Sequence, residues 1–481
     1  MNDQIDRQLL ADTIAAVSTP PGPSGIAVIR VSGPAVCWLG DKLFEPLSDR
    51  FPIYSAMPGY TCAPGYWLAY ENSEDTDKKQ RVDQVVVTSF RAPHSYTGED
   101  VMEISCHGST AVKQQILDSV FAVGVSAAGP GEFTQRAFAN GKIDLAQAEA
   151  VMDLISSEAK IQAQAAINQL QGSVSLQIDK ADQAVYALLA KTELILEFPE
   201  HEETEENIRE LTNQISAVRA TLELLTDSYR QGRILSEGLN VVIAGRPNAG
   251  KSSLLNQLAG YDRAIVTEIP GTTRDTVRET IDLGGIPVHI TDTAGIRESE
   301  DPVEKIGVMR ARSAASQADL VVWLVSPPMD DEEVRQEIIE IGQLKSTGVP
   351  LILICGKEDL PTSESVRGQL QQAFAGDDII SFSAVSGEGL AQIRQGIINV
   401  YESSGSFGSE SVILTNRRHL EAARSAVSSL DQAMKALQDG LTLDLTAMLL
   451  RSAAESLAEI TGQSVSEEIV QAVFSRFCVG K

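Results

Sequence analysis

The sequence contains no apolar run approaching the roughly 18 residues that a membrane-spanning helix needs. Its first residues, MNDQIDRQLLADT, lack the basic region and apolar stretch of a secretory signal. A cytoplasmic location with no membrane association is therefore the expectation. The five cysteines, Cys37, Cys62, Cys106, Cys355 and Cys478, include no C-x-x-C pair, which argues against a disulfide framework or a zinc ribbon. Most of these thiols are expected to be buried and unreactive. The paired histidines of a zincin are also missing, and the acidic run PEHEETEEN around His201 reads as a solvated helix start, where the helix dipole favours carboxylates. Positive charge is scarce: 39 basic residues against 66 acidic give a formal charge of −27. Such a chain repels phosphate backbones, so work on nucleic acid would need a local basic cleft or a basic partner. The terminal FCVGK is not a prenylation box, because Gly480 is not aliphatic and Lys481 is not an accepted last residue. A functional Cys478 would need this tail docked into a site built elsewhere in the chain.

What is present suggests about three domains: 481 residues, 43% of them hydrophobic, are ample for packed cores. Up to Lys142, strand-like runs (GIAVIRVSG, VDQVVVTSF, DVMEIS) alternate with turns and the helical TAVKQQILDSVFAVG, an α+β texture. From Asp144 the pattern is helical through TDSYRQG. At Gly238 the cadence becomes that of a parallel α/β sheet, with strands GLNVVIAG, PVHIT, DLVVWLVS and PLILICG. After SSGSFGSE helices return, ending on EEIVQAVF, ahead of which Ser464 and Glu467 have capping-box spacing. The expected domains are 1–142 (α+β), 143–237 (all-α), 238–403 (α/β, inserted at a surface loop) and 404–481 (the rest of the helical domain with the tail).

Gly245-Arg-Pro-Asn-Ala-Gly250-Lys251-Ser252 fits G-x-x-x-x-G-K-[ST] and stands between a strand and the helical SSLLNQLAG. In this motif backbone N–H groups curl around a β-phosphate, Lys251 reaches the β- and γ-phosphates, and the Ser252 hydroxyl ligates magnesium. Downstream, Asp292-Thr-Ala-Gly295 can hold the magnesium shell and sense the γ-phosphate, and Gly271-Thr272-Thr273-Arg274-Asp275 suits a switch whose threonine completes the coordination. In Gly356-Lys357-Glu358-Asp359, Asp359 can accept from the two N–H donors of guanine, which selects GTP, and Ser383-Ala384 supplies the contact to the guanine oxygen. GTPases normally carry N-K-x-D, so Gly356 removes an amide that braces the base and the phosphate loop; the expectation is that Gly356→Asn tightens nucleotide binding. Ile296 stands where Ras-like enzymes place a glutamine, so an acidic residue between Glu298 and Glu304 and an added cation are the candidates for positioning the water and offsetting charge.

GRPNAGKSSLLN, AIVTEIPGTTRD, TDTAGIRESEDPVEKIG and FCVGK, with the N-terminal STPPGPSGIAVIRVSG, PHSYTGEDVMEISCHG and PGEFTQRAFANGKIDLAQAEAV, resemble the MnmE (TrmE) family of tRNA modification GTPases over nearly the whole chain. The resemblance implies a folate-binding, dimer-forming first domain, an all-α helical domain and an inserted Ras-like P-loop GTPase domain. It places a 5-formyl- or methylene-tetrahydrofolate at Arg30, Glu103 and Lys142 with Lys481 nearby, and brings Cys478 to that one-carbon chemistry. In the GTPase domain it implies GTP contacts from Asn248, Ala249, Gly250, Lys251, Ser252, Ser253, Thr267, Thr272, Thr273, Asp292, Gly295, Lys357, Asp359, Ser383 and Ala384. Magnesium goes to Ser252 and Thr273, and potassium to Asn248, Thr267, Thr272 and the Ile269 carbonyl. Glu304 orients the attacking water, and Arg274 matches the family's switch arginine. The implied function is potassium-activated GTP hydrolysis in a homodimer that, with FAD-containing MnmG, installs aminomethyl or carboxymethylaminomethyl groups at carbon 5 of the tRNA wobble uridine. Two rivals stand beside it: a regulatory or ribosome-assembly GTPase switch without modification chemistry, and a folate enzyme whose GTPase is incidental.

Overall fold

The computed structural model describes residues 7–72, 75–198, 204–261, 278–292, 318–403 and 412–481. The chain divides into two compact units: residues 1–152 with 458–481, and residues 153–457.

The first unit is built on a seven-stranded sheet, order β3-β4-β5-β6-β2-β1-β7, from β1 Ile14–Val17, β2 Ser24–Ser32, β3 Phe44–Pro46, β4 Thr61–Asn72, β5 Asp75–Phe90, β6 Val101–Gly108 and β7 Ser126–Ala127. Only β1 with β7 is parallel. Period-two alternation decides which side chains face the core: Ala27, Ile29 and Val31 of β2 join Met102, Ile104 and Cys106 of β6, Trp67 of β4 and Ile116 and Val120 of the helix Thr110–Ala122. Arg30 and Glu103, directly opposite in register, therefore lie together on the other face. The long β4 runs through Pro64 and Gly65, residue types that ordinarily weaken a strand; Gly65 is required there, since a Cβ would sit 2.3 Å from the Phe44 ring.

The C-terminal residues complete this unit. Phe474 and Phe477 are buried with Leu145 and Ala148. The helix Glu467–Phe474 is capped by Ser466, whose side chain accepts from Ile469 N–H, and not by Ser464 as the spacing predicts. The reason is local: the N–H groups of Gly462, Gln463 and Ser464 all close onto Ala458 O, so Ser464 is committed to ending the preceding helix.

In the second unit, helices Lys160–Leu170, Ser173–Glu197 and Glu205–Glu237 pack with Arg417–Gln438, which comes from the far side of the α/β segment. Arg219 pairs with Asp431 while Ser228 Oγ accepts from Leu414 N–H at 3.0 Å, so the two long helices run antiparallel. The α/β module is thus an insertion between helices that pack on each other. Thr204 caps Glu205–Glu237, accepting from Asn207 N–H at 3.2 Å with Glu205 and Glu206 in the first turn; His201 lies outside the described residues.

The inserted sheet has order β13-β12-β11-β8-β10-β9, from β8 Leu239–Ala244, β9 Arg278–Leu283, β10 Ile286–Asp292, β11 Leu320–Val325, β12 Leu351–Cys355 and β13 Ile379–Ser381. It is parallel except for the edge strand β9. Ile243, Ile290 and Leu324 pack under Leu254 and Leu258 of helix Lys251–Tyr261 and Ile393 and Ile397 of Leu390–Ser403. Val325 and Leu353 face Ile341 and Leu370 of helices Asp331–Lys345 and Ser363–Ala373 on the other side. Among the described residues no helix is long and apolar enough to cross a membrane, and no group of three or more His, Cys, Asp or Glu side chains is arranged to hold a metal ion.

Candidate functional sites

The central strand β8 has β10 on one side and β11 on the other. This is the switch point of a doubly wound sheet, where a crevice opens beyond the strand's carboxyl end. The segment Gly245–Gly250 fills that position and leads into helix Lys251–Tyr261. Gly245 has φ +140°, and a Cβ there would lie 2.2 Å from Leu324 O, so only glycine lets the loop pass this close to β11. Lys251 is 5% exposed, and its Nζ donates to Gly245 O at 2.9 Å and Arg246 O at 2.8 Å. The ammonium is held inside the loop by its carbonyls, where incoming phosphate oxygens can exchange with them. Asn248 bends the loop at φ +60°, a conformation asparagine tolerates better than most residues, while Arg246 Nη1 is anchored outward on Glu333 at 2.9 Å.

The guanine-reading residues converge on the same end of the sheet. Ser383 Oγ donates to Asp359 Oδ1 at 2.9 Å, Glu358 N–H donates to Phe382 O at 3.2 Å, and Lys357 turns the chain at φ +54°. Gln257 Nε2, from the helix after the phosphate loop, donates to Ala384 O at 2.7 Å and ties the two halves together. Ser252 and Ser253 open that helix on its exposed side. Asp292 ends β10 in register with Ile243, its side chain outside the described residues. Thr267, Ile269, Thr272, Thr273, Arg274, Gly295 and Glu304 also lie outside the described residues.

The second site lies in the first unit. Arg30 Nη2 donates to Glu103 Oε1 at 2.8 Å, and its guanidinium carbon stands 5.4 Å from the Tyr96 ring centroid and 5.7 Å from that of Phe133. Arg30 is therefore already neutralised by Glu103, and the pair offers adjacent donors and acceptors between aromatic rings. Burial raises the Tyr96 phenol, whose OH is 2.9 Å from Thr134 Oγ1. Lys142 Nζ donates to Pro93 O at 3.0 Å, in the loop that carries Tyr96. The tail docks in the same unit: Gly131 N–H donates to Cys478 O at 3.4 Å, Val479 bridges Pro130, and Ser18 Oγ donates to Gly480 O at 2.9 Å. Gly480 has φ +96°, and a Cβ would lie 2.1 Å from Val17 O, which fixes glycine in this tail.

Burying Phe474 and Phe477 contributes about 2 kcal/mol each, against about 1–2 kcal/mol for fixing each tail residue. The anchors thus balance the ordering cost only with the help of the tail hydrogen bonds. Cys478 is exposed, and Lys481 is half-buried.

The remaining thiols correct a composition-based expectation. Cys106 and Cys355 are buried, Cys37 is half-buried and Cys62 is exposed, so fewer than most are hidden. Burial, aided by Asp100, Asp83 and Glu358 respectively, pushes Cys37, Cys106 and Cys355 each up to about 11.

Sequence reasoning missed Gln257, Glu333, Tyr96 and Phe133. Tyr96 and Phe133 lie inside the stretches PHSYTGEDVMEISCHG and PGEFTQRAFANGKIDLAQAEAV, but like Gln257 and Glu333 each acts through a contact made only in the fold.

A doubly wound sheet with a phosphate loop at its switch point, joined to a base-reading loop and inserted into a helical domain, defines a Ras-like P-loop GTPase domain within a larger chain. Residues 13–142 match the family model described as GTP-binding protein TrmE N-terminus, and residues 145–478 the MnmE helical domain. The tRNA modification GTPase MnmE of Acetivibrio thermocellus is 38% identical over 471 residues, 98% of this chain and 99% of that one. That of Natranaerobius thermophilus is 39% identical over 473 residues, with the same shares covered. The chain belongs to the MnmE (TrmE) family. Among solved structures, the G domain of the T. maritima FeoB iron transporter aligns with 34% of this chain and 98% of its own at 26% identity and a TM-score of 0.26.

Proposed function

We propose that this chain is a cytoplasmic GTP hydrolase whose turnover drives modification of the tRNA wobble uridine at carbon 5, with a folate-derived one-carbon unit. The observation that carries the reading is the joining of phosphate loop and guanine loop through Gln257 and Ala384. Lys251 exchanges the Gly245 and Arg246 carbonyls for β- and γ-phosphate oxygens. Asp359, oriented by Ser383, accepts from the guanine N–H donors, and Ala384 meets the guanine oxygen. Thr267, Thr272, Thr273, Asp292 and Gly295 are the further GTP contacts in this reading. Glu304 orients the attacking water, and Arg274 acts from the switch.

Magnesium and potassium fit the residues available. The Ser252 hydroxyl, with Thr273, and the Asn248 amide oxygen, with Thr267, Thr272 and the Ile269 carbonyl, are oxygen donors suited to hard cations. When bound they supply positive charge against the developing negative charge of the transferring phosphoryl group.

The Arg30–Glu103 pair between two rings suits a flat heteroaromatic group with donors and acceptors on its edge, and Lys142 and Lys481 suit its anionic tail. Tetrahydrofolate there would supply the one-carbon unit, and in this reading the docked tail, anchored through Cys478 O and Gly480 O, brings Cys478 to it. The working form is a homodimer acting with the FAD-containing MnmG, which contributes much of the tRNA-binding surface that a chain of charge −27 lacks.

Mass spectrometry of tRNA wobble nucleosides, from cells lacking the protein and with the intact gene restored, tests this reading. The 5-substituted uridines should vanish and return; unchanged uridines would point to a regulatory switch.

A further inference from the structure

The glycine that replaces asparagine ahead of Lys357 leaves the phosphate loop without its usual brace, and the fold supplies another. Ser326 follows β11, is 8% exposed, and its Oγ donates to Ala249 O, in the phosphate loop, at 2.7 Å. A Cβ built on Gly356 would stand 2.2 Å from that Oγ and 2.9 Å from Leu324 Cδ1. Gly356 N–H in turn donates to Val325 O at 2.8 Å, which holds it directly over the Ser326 hydroxyl. A side chain at 356 and the hydroxyl at 326 compete for one volume, and the hydroxyl has it.

We infer that Ser326 is a positioning residue for nucleotide binding: its hydroxyl takes over the loop-bracing role of the missing amide. The inference rests on the guanine-nucleotide reading above. The carbonyl of Ala249 and the N–H of Gly250 belong to one planar trans peptide and point in opposite directions. Fixing the carbonyl on Ser326 therefore aims the Gly250 N–H away from β11, before any phosphate arrives. A serine hydroxyl has one proton to donate where an amide has two, so it braces the loop alone. The base-reading side keeps its own support, Ser383 on Asp359.

This geometry overturns the expectation that Gly356→Asn simply tightens binding. With Ser326 present, the new side chain collides with the hydroxyl and displaces it from Ala249 O. With alanine at 326, the Oγ contact is gone, and the two remaining near neighbours of a position-356 Cβ are the movable end of Leu324 at 2.9 Å and the residue-326 Cβ at 3.5 Å. An asparagine amide then has room to reach the loop.

The test uses the full chain loaded with a fluorescent GDP analogue and chased with GDP. Ser326→Ala should speed dissociation about fivefold, the scale of one neutral hydrogen bond. Gly356→Asn alone should also speed it, and Ser326→Ala with Gly356→Asn together should return it to within about twofold of the starting protein. Gly356→Ala, which adds the obstruction without an amide, should show no such recovery when combined with Ser326→Ala. This reversal of sign is not produced by loss of packing, which only accumulates. A dissociation rate unchanged in Ser326→Ala, or effects that merely add, would overturn the inference. A starting protein that holds no guanine nucleotide would instead contradict the proposed function on which it stands.

Discussion

The phosphate loop and the docked tail are two solutions to holding a short chain segment still. The loop is contiguous: Gly245 to Ser252 is one segment at the end of one strand, and its ammonium is held by its own carbonyls. The tail site is assembled from residues remote in sequence, with Gly480 against Ser18, Cys478 against Gly131, and Phe133 over Arg30. A contiguous site depends on a local bend. An assembled site depends on every anchor, because a short tail bound by a few hydrogen bonds and two buried rings has little stability to spare.

The comparison predicts that each site can be broken alone, with different consequences. The largest effect belongs to Lys251→Ala, which removes the cation facing the phosphates. GTP turnover should fall about a hundredfold or more, and tRNA modification with it if, as proposed, the nucleotide cycle drives the second site. A multiple-turnover phosphate-release assay beside nucleoside analysis checks both. Modification that persists in this variant would favour the incidental-GTPase reading.

Next comes Gly480→Ala, which forces a Cβ against Val17 O in a left-handed backbone conformation. At about 2 kcal/mol of strain, the tail should be mostly undocked. Modification should drop about tenfold while GTP turnover stays at its starting level, read in the same two assays.

The smallest effect is a pattern of thiol reactivity. A thiol raised to about 11 stays protonated at pH 8, below that value, and reacts only as pH climbs toward it. Iodoacetamide at pH 8 should therefore modify the exposed Cys62 and Cys478 well before Cys37, Cys106 and Cys355, as peptide mass mapping would record. Equal labelling of Cys355 would mean that the α/β core opens far more readily than its packing implies.

The same contrast governs what can be read from the residues. The G-x-x-x-x-G-K-S segment is legible because its chemistry is backbone and lysine in one short stretch with the right flanks. The helical insertion topology is legible from a change of period. Ser464 misled because its N–H serves the preceding helix, a bond that capping-box spacing cannot reveal. The strand β4 runs through Pro64 and Gly65, residue types that ordinarily break strands, and the reason for Gly65 is the Phe44 ring beside it. Arg30 and Glu103, considered as isolated charges, say nothing; their pairing follows from strand register, and the folate role proposed for them rests on family resemblance. Ser326 lies beyond any motif, since its meaning depends on what Gly356 lacks.

The central claim is that one chain couples a nucleotide cycle to chemistry at a separate, tail-built site. The most direct test is Cys478→Ser, with GTP turnover and wobble-nucleoside composition measured on the same full-length protein and the same cells. The account predicts unchanged turnover with loss of the 5-substituted uridines. Retained modification, or turnover lost together with it, would contradict the claim.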